Sequence, residues 1–101
     1  MKVIWTLPAK YRLKEIFLYY KHNASLRVAK KITKDIFNST CALISNPKIG
    51  SKEELLKHKK DEYRYLVVGN YKIIYRIDAK NVFIIDVFDC RQNPKKLLVN
   101  K

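Results

Sequence analysis

The first quarter of the chain alternates apolar and charged residues with the period of an α-helix. A brief run of strand formers, Lys2 to Trp5, comes first. Thr6 follows as an N-cap residue, and Pro8 fits a first helical turn. The helix this predicts has one apolar face, which comprises Ala9, Leu13, Ile16, Phe17 and Tyr20. A strand therefore leads into an amphipathic helix whose apolar face must be covered.

A second, longer helix is predicted after a short link at His22-Asn23. Ser25 is its candidate cap, and helical spacing connects its apolar positions: Val28, Ala29, Ile32, Ile36, Leu43 and Ile44. The short link makes the two helices an antiparallel hairpin. Because Pro47 disfavours a helical residue before it, the helix ends by Asn46, and a turn follows at residues 48–51. The charged run from Glu53 to Lys60 fits either a loop or one amphipathic turn, and the sequence leaves both open.

The pattern changes to strand periodicity from Tyr63 onward. Gly69-Asn70 and residues 78–81 are the predicted turns of a three-stranded antiparallel meander. One face of its first hairpin is expected to meet the helices: Leu66, Val68, Tyr71, Ile73, Tyr75 and Ile77. The other face is expected to stay open: Tyr63, Tyr65, Val67, Lys72, Ile74 and Arg76.

The register of the last strand depends on where Asp86 points. An unpaired carboxylate in the core costs several kcal/mol, on the order given by, so we expect the register that exposes Asp86 beside Lys72. Phe83, Ile85 and Val87 then face inward. With the helices on one face of the sheet, the predicted fold class is α+β.

Length and composition predict one small globular domain spanning residues 1–101. The hydrophobic fraction is 48%, with only 2 Gly and 3 Pro, which indicates ordered structure. The formal net charge of +13 costs self-repulsion in a compact state, so an acidic partner is expected, either nucleic acid or an acidic protein. A lysine-rich soluble surface without such a partner is the plainer alternative.

Cysteine and histidine positions predict no metal, no cofactor and a cytoplasmic location. Cys41 and Cys90 lie far apart, and the first ten residues lack the apolar run of a signal peptide. No stretch approaches the roughly twenty apolar residues needed to span a bilayer. His22 and His58 lie beside lysines that repel a divalent cation, so both are expected at the surface.

The ordered set of motifs resembles the RelE/ParE superfamily, the toxins of type II toxin–antitoxin pairs. The motifs are Trp5 and Ala9 near the start, Pro47 and Gly50 after the second helix, a Tyr-Arg strand at residues 63–64, a Tyr-x-Ile-x-Tyr strand at 71–75, and Arg-Gln-Asn-Pro at 91–94. The likeness runs from Val3 to about Leu98. It implies a RelE-like fold and a toxin whose partner is an antitoxin.

The resemblance implies one of two activities. RelE-like members cut mRNA on the ribosome with basic side chains on this sheet, helped by a tyrosine or histidine near the C-terminus. ParE-like members act on DNA gyrase and are not known for hydrolysis. Cleavage by the ribose 2′-hydroxyl needs a base, an acid and cations at the phosphate.

Carried onto this sequence, the RelE pattern is incomplete. Arg64, Lys72 and Arg91 fall at or near its basic positions and are the catalytic candidates if the chain is a ribonuclease. Leu66 replaces a second lysine, Leu97 lies near the expected tyrosine, and no histidine follows His58. Losing one acid or base costs ~10² to 10⁴ in rate. The ParE-like side is therefore favoured, and the question of catalysis stays open.

The residues expected to meet a target or a phosphate are Tyr65, Lys72, Arg76 and Arg91, because cations on an aromatic sheet suit acidic ligands. The favoured function is growth inhibition through a protein target such as DNA gyrase. The alternatives are a ribosome-dependent mRNA endoribonuclease, with Tyr65 as substitute acid or base, and a non-toxic RNA-binding module. The partner segment of the antitoxin should be acidic and amphipathic.

Overall fold

A computed structural model of the chain describes residues 1–53 and 61–91. Strand β1 (Lys2–Trp5) precedes helices α1 (Leu7–Asn23) and α2 (Leu26–Cys41), and a 3-10 turn (Ala42–Ile44) extends the second helix. The remaining strands are β2 (Ser51–Lys52), β3 (Glu62–Val68), β4 (Tyr71–Ile77) and β5 (Asn81–Asp89). The predicted open segment 53–60 lies outside the described residues except for Glu53.

Both helices begin where the sequence predicts. The Thr6 hydroxyl accepts a hydrogen bond from the Ala9 N–H, with Pro8 in the first turn. The Ser25 hydroxyl accepts one from the Val28 N–H at 3.1 Å. These caps satisfy N–H groups that have no partner inside the helix. Neither helix in the described part of the chain is long and apolar enough to cross a membrane.

The sheet has five strands, which are the predicted N-terminal strand, the three strands of the predicted meander, and β2, which lies partly in the predicted turn. Its order is β1-β5-β4-β3-β2, so β1 lies at one edge and pairs in parallel with β5. At the other edge the two residues of β2 pair with Tyr65 and Arg64 of β3. The helical hairpin and the strands β2 to β4 all lie between β1 and β5 in the chain, so the parallel pair is joined by a long connection. The α+β class and the central meander are as predicted.

The core lies between the helical hairpin and one face of the sheet. The predicted inward face of β3 and β4 is confirmed, and Ile73 and Tyr75 are fully buried against Ile16 and Ile36. Gly69 has φ 58° at the first position of the β3–β4 turn, the pattern of a type II′ hairpin. Asp78 accepts from the Lys80 and Asn81 N–H groups in the next turn.

The predicted register of β5 is wrong. An irregularity between Ile74 and Tyr75 shifts the pairing, so Tyr75 lies opposite Ile84 while Ile74 lies opposite Asp86. Val82, Ile84 and Val87 are the buried apolar residues of this strand, so of the three expected inward residues only Val87 is in the core cluster. A bulge inserts one extra residue and reverses the alternation beyond it, which periodicity alone does not reveal.

Asp86 is buried, with 4% of its surface exposed, rather than lying beside Lys72. Its Oδ1 accepts a hydrogen bond from Arg12 Nε of α1 at 3.1 Å and from the Val87 N–H at 2.8 Å. Exposure was expected for a carboxylate without a partner. The cation from α1 supplies the compensation that makes burial possible.

Candidate functional site

The open face of the sheet carries a small aromatic cluster. Ile74 is fully buried there, and Tyr63, Tyr65 and Phe88 pack around it. The prediction that this face is open is only partly correct, because Ile74 on β4 is covered by its aromatic neighbours. The cluster forms the floor over which Lys72 lies.

Lys72 lies over this floor and is held by a carboxylate. Its Nζ is 4.1 Å from the centre of the Tyr65 ring and 2.6 Å from Oε2 of Glu53. The Lys72 side chain is 19% exposed and that of Glu53 only 2%. A buried ion pair is expensive to break, because either partner alone leaves a charge out of water. Glu53 was not predicted as a site residue, because it belongs to the charged run from Glu53 to Lys60, whose structure the sequence did not decide.

Arg64 forms hydrogen bonds with the loop that precedes β2. Its Nε donates to the carboxylate of Glu62, and its Nη1 donates to the Gly50 carbonyl at 2.7 Å. The side chain lies beside Tyr75 across the β3–β4 pair, as the predicted register has it. The hydrogen bond from Arg64 lowers the pKa of Glu62 below its ordinary value. Arg64 thus has the contacts of a residue that fixes the loop to the sheet.

Tyr75 and Gly50 complete the anchoring of this loop. The Tyr75 hydroxyl donates to the Pro47 carbonyl at 2.7 Å and accepts from the Gly50 N–H at 2.9 Å. A Cβ on Gly50 would lie 2.5 Å from the Tyr65 carbonyl oxygen, which is why no larger residue fits. Burial raises the pKa of Tyr75, so the hydroxyl stays protonated as a donor.

Arg76 and Arg91 also face carboxylates. Arg76 Nη1 lies 3.8 Å from Asp61 Oδ2, and its guanidinium lies 4.4 Å from the centre of the Phe83 ring. Arg91 makes a two-pronged contact with Asp89, with Nε 2.9 Å from Oδ1. Hydrogen bonding by Arg91 lowers the pKa of Asp89. With 69% of its side chain exposed, Arg91 is far more accessible than Arg64 at 14%.

Every predicted cation of the sheet therefore has an acidic partner. The four pairs are Lys72–Glu53, Arg64–Glu62, Arg76–Asp61 and Arg91–Asp89. The structure brings Tyr65 and Lys72 together, while Arg64, Arg76 and Arg91 contact separate partners. No group of three or more His, Cys, Asp or Glu in residues 1–53 and 61–91 could hold a metal ion.

The excess positive charge lies elsewhere. Residues 61–91 contain five Lys and Arg against five Asp and Glu, whereas residues 7–41 contain eight against two. The helical hairpin is therefore the most strongly basic of the described elements. The net charge alone does not show this concentration, whereas counting charges by predicted element would have located it.

An apolar groove runs along this basic hairpin. Its volume is about 540 Å³, and it is lined by Trp5, Lys10, Leu13, Lys14, Phe17, Thr33 and Phe37. The rings of Trp5 and Phe37 stack with their centres 6.0 Å apart. Phe37 remains 49% exposed. Sequence reasoning assigned Leu13 and Phe17 to the core and did not include Phe37, so it missed the groove.

Several predicted positions lie outside the described residues. They are His58, the rest of the closing Arg-Gln-Asn-Pro motif after Arg91, and Leu97. Leu66, which stands in place of a lysine of the RelE pattern, packs against the main core. His22 is exposed, as expected.

A helical hairpin on one face of an antiparallel meander, with a parallel N-terminal strand at its edge, is the fold of RelE/ParE-type toxins. A solved structure described as the chromosomal ParDE TA system from P. aeruginosa has this fold, with a TM-score of 0.74 at 20% identity, covering 88% of this chain and 95% of that one. The family model for the ParE toxin of type II toxin–antitoxin systems, parDE, matches residues 3–94. The chain belongs to this ParE toxin family. A search among curated proteins found no significant match.

Proposed function

We propose that this protein inhibits growth by binding a protein target, DNA gyrase, and that a cognate acidic antitoxin neutralises it. One observation carries the choice of a protein target over RNA. Each candidate cation on the sheet is engaged by a carboxylate, most firmly Lys72 by the buried Glu53. A phosphate would have to displace these carboxylates before the cations could stabilise its charge.

Within this proposal Arg91 is the residue that meets the target. Its side chain is the most exposed of the four candidate cations, and the Asp89 carboxylate fixes the direction of its guanidinium. A pre-oriented arginine loses less entropy on binding than a free one, which is why such residues suit binding hot spots. Lys72, Arg76 and Tyr65 support the strand that carries it.

Purified protein added to a gyrase supercoiling assay should inhibit supercoiling, while translation in a cell extract continues. Arg91→Ala should weaken inhibition by about tenfold or more, the scale of a hot-spot residue. Lys80→Ala, an exposed lysine in the β4–β5 turn, is the matched control and should inhibit like the wild type. Unimpaired supercoiling at saturating protein would exclude gyrase as the target.

A ribosome-dependent endoribonuclease is the second candidate, and the observation that favours it is Lys72 lying 4.1 Å from the centre of the Tyr65 ring. Here Glu53→Gln provides a direct test, because it removes the charge that holds Lys72. If the chain cleaves mRNA, primer extension should find codon-linked cuts that increase in Glu53→Gln and disappear in Tyr65→Phe. The absence of new cuts in all three proteins excludes this candidate.

The antitoxin of this proposal is strongly acidic in its toxin-binding segment. The basic hairpin supports this, because a partner that covers it must offset its charge. Co-expression of the neighbouring reading frame should restore growth. A neighbouring frame with a strongly basic product, or one that leaves growth inhibited, would contradict the pairing.

A further inference from the structure

The outward side of α2 carries a row of four cations, which we call the α2 stripe. Its members are Arg27, Lys30, Lys31 and Lys34. They stand at positions i, i+3, i+4 and i+7, which places them within an arc of about 100° around the helix axis. All four are exposed. The buried residues of the helix lie on its opposite side, so the α2 stripe faces solvent.

Little negative charge lies near the α2 stripe. Asp35 is the only acidic residue between positions 16 and 41. It pairs with Lys31, whose Nζ lies 3.2 Å from Oδ2, and because both side chains are exposed the pair is weak. Within residues 1–53 and 61–91, the other three cations of the stripe form no ion pair. The stripe therefore presents nearly its full positive charge to solvent.

The placement of these cations does not help α2 to fold. Arg27 lies in the first turn, which contains no acidic residue, and a cation there opposes the helix dipole. Like charges three and four positions apart also repel one another. A surface that serves only solubility usually mixes charges of both signs. An anionic partner is therefore the better explanation of the stripe.

The chemistry of the α2 stripe fits a phosphate backbone better than a protein or a single strand. Protein interfaces depend on apolar or aromatic anchors, and proteins that bind single-stranded nucleic acid stack bases on aromatic rings. The stripe offers neither, and the next position along the same side is Asn38, which is also polar. Contacts made by cations alone position a protein on a duplex without reading its sequence.

The length of the α2 stripe suits the charge spacing of duplex DNA. From Arg27 to Lys34 the helix rises by about 10 Å. Each strand of a duplex carries one charge per about 3.4 Å of its axis, so the stripe faces about three phosphates of one strand. A helix laid across the backbone in this way is a known mode of contact with DNA.

We infer that the α2 stripe binds the phosphate backbone of duplex DNA without regard to sequence. The inference goes beyond the proposed function, because it involves neither Arg91 nor the sheet. Since Arg91 and the α2 stripe lie on different elements, inhibition of the target and binding of DNA can be lost separately.

The test measures binding of a labelled DNA duplex of about two helical turns by fluorescence anisotropy, at salt concentrations from about 50 to 200 mM. For the wild type, the logarithm of the affinity should fall with the logarithm of salt concentration with a slope of about three to four, as expected for four contacts. Arg27→Gln/Lys34→Gln should lose about two units of this slope and bind about tenfold more weakly, or worse, at the lowest salt.

A matched double variant separates the α2 stripe from the net charge. Lys2→Gln/Lys80→Gln removes two exposed cations from the region where β1 pairs with β5, so the net charge falls equally. It should bind within about twofold of the wild type and keep its salt slope. Circular dichroism verifies that both double variants are folded. Equal weakening in both, no weakening in either, or no duplex binding by the wild type would overturn the inference, whereas supercoiling inhibition is measured separately.

Two competitors test the kind of anion. Single-stranded RNA and polyglutamate, each at the same concentration of charge as the duplex, should displace the labelled duplex less well than unlabelled duplex does. Tighter binding of RNA would assign the α2 stripe to single strands, and equal displacement by polyglutamate would assign it to acidic protein segments. Either result would overturn the choice of duplex DNA.

Discussion

The helical hairpin and the sheet handle positive charge in opposite ways. On the sheet, Lys72, Arg64, Arg76 and Arg91 each contact a carboxylate, and basic and acidic residues are equal in number over residues 61–91. On the hairpin, eight basic residues face two acidic ones over residues 7–41. The described ion pairs of the hairpin are Lys31–Asp35 and the link from Arg12 to Asp86.

This difference separates structural cations from cations available to a partner. A cation that already has a buried carboxylate stabilises the fold and must be released before it can bind anything else. An exposed lysine without a partner contributes little to stability and contributes to attraction over longer range. Lys72, paired with the nearly buried Glu53, belongs to the first kind, and the lysines of the helices that form no described ion pair belong to the second. Arg64, Arg76 and Arg91, whose carboxylates are partly exposed, lie between the two.

The largest expected effect comes from Lys72→Met. Removing this cation leaves the charge of the nearly buried Glu53 without it, so the free energy of unfolding should fall by about 3 kcal/mol in urea denaturation. Lys14→Met on the hairpin is the matched control and should change stability by less than about 0.5 kcal/mol. Adding Glu53→Gln to Lys72→Met should recover part of the loss. If Lys72→Met and Lys14→Met proved equally stable, the distinction between structural cations and cations available to a partner would be refuted.

Tyr75→Phe should have the next largest effect. It removes a hydroxyl that both donates to Pro47 and accepts from Gly50, leaving two backbone groups without this partner, at a cost of about 2 kcal/mol. Tyr11→Phe alters an exposed tyrosine of α1 and should leave the free energy of unfolding unchanged. Thermal or urea denaturation of both variants measures this difference. A comparable loss in both variants would indicate that the hydroxyl does not anchor the loop.

Polyanion binding should depend on the hairpin rather than on the sheet. The affinity for heparin, measured over a range of salt concentrations, should lose about one unit of its salt slope in Lys30→Gln. In Lys72→Gln the slope should be unchanged, because that cation is already neutralised by Glu53. A larger change in the Lys72 variant would place the polyanion on the sheet.

The smallest expected effect is the pH-dependent loss of thermal stability in Asp89→Asn. The hydrogen bond from Arg91 lowers the pKa of Asp89 in the folded state. The ion pair therefore stabilises the fold at any pH above the pKa that Asp89 has in the unfolded chain. This stabilisation is lost as the pH falls through the lowered pKa of the folded state. Asp89→Asn should therefore reduce Tm at pH 7 by about 2 °C or less, since the arginine is exposed to solvent. The difference from the wild type should vanish in strong acid. A difference that persists there would point to a cause other than charge.

Local patterns predicted much of the fold. Thr6 and Ser25 cap the helices, Gly69 forms the hairpin turn, and the inward face of β3 and β4 is as expected. Each of these features depends on residues within a few positions of one another. Asp86 was mispredicted because its cation, Arg12, lies 74 residues away.

The candidate site was less accessible to sequence reasoning. The sequence indicated Arg64, Lys72, Arg76 and Arg91 as cations of interest, and the structure contains all four, but no pattern revealed that each faces a carboxylate. Glu53 reaches Lys72 only because β2 pairs with the edge of β3 and directs the chain over the sheet. Phe37 lines a groove only because α2 packs beside Trp5.

The sequence by itself determined the two helices, the strands β1, β3, β4 and β5, the inward face of β3 and β4, and the total charge, because periodicity, capping and composition act within a segment. Only the tertiary structure decided how that charge is distributed between paired and unpaired cations. The parallel pairing of β1, the bulge in β5 and the burial of Glu53 and Asp86 arise from contacts between distant segments. The energy of an ion pair depends on distance and burial, and neither is fixed until those segments meet.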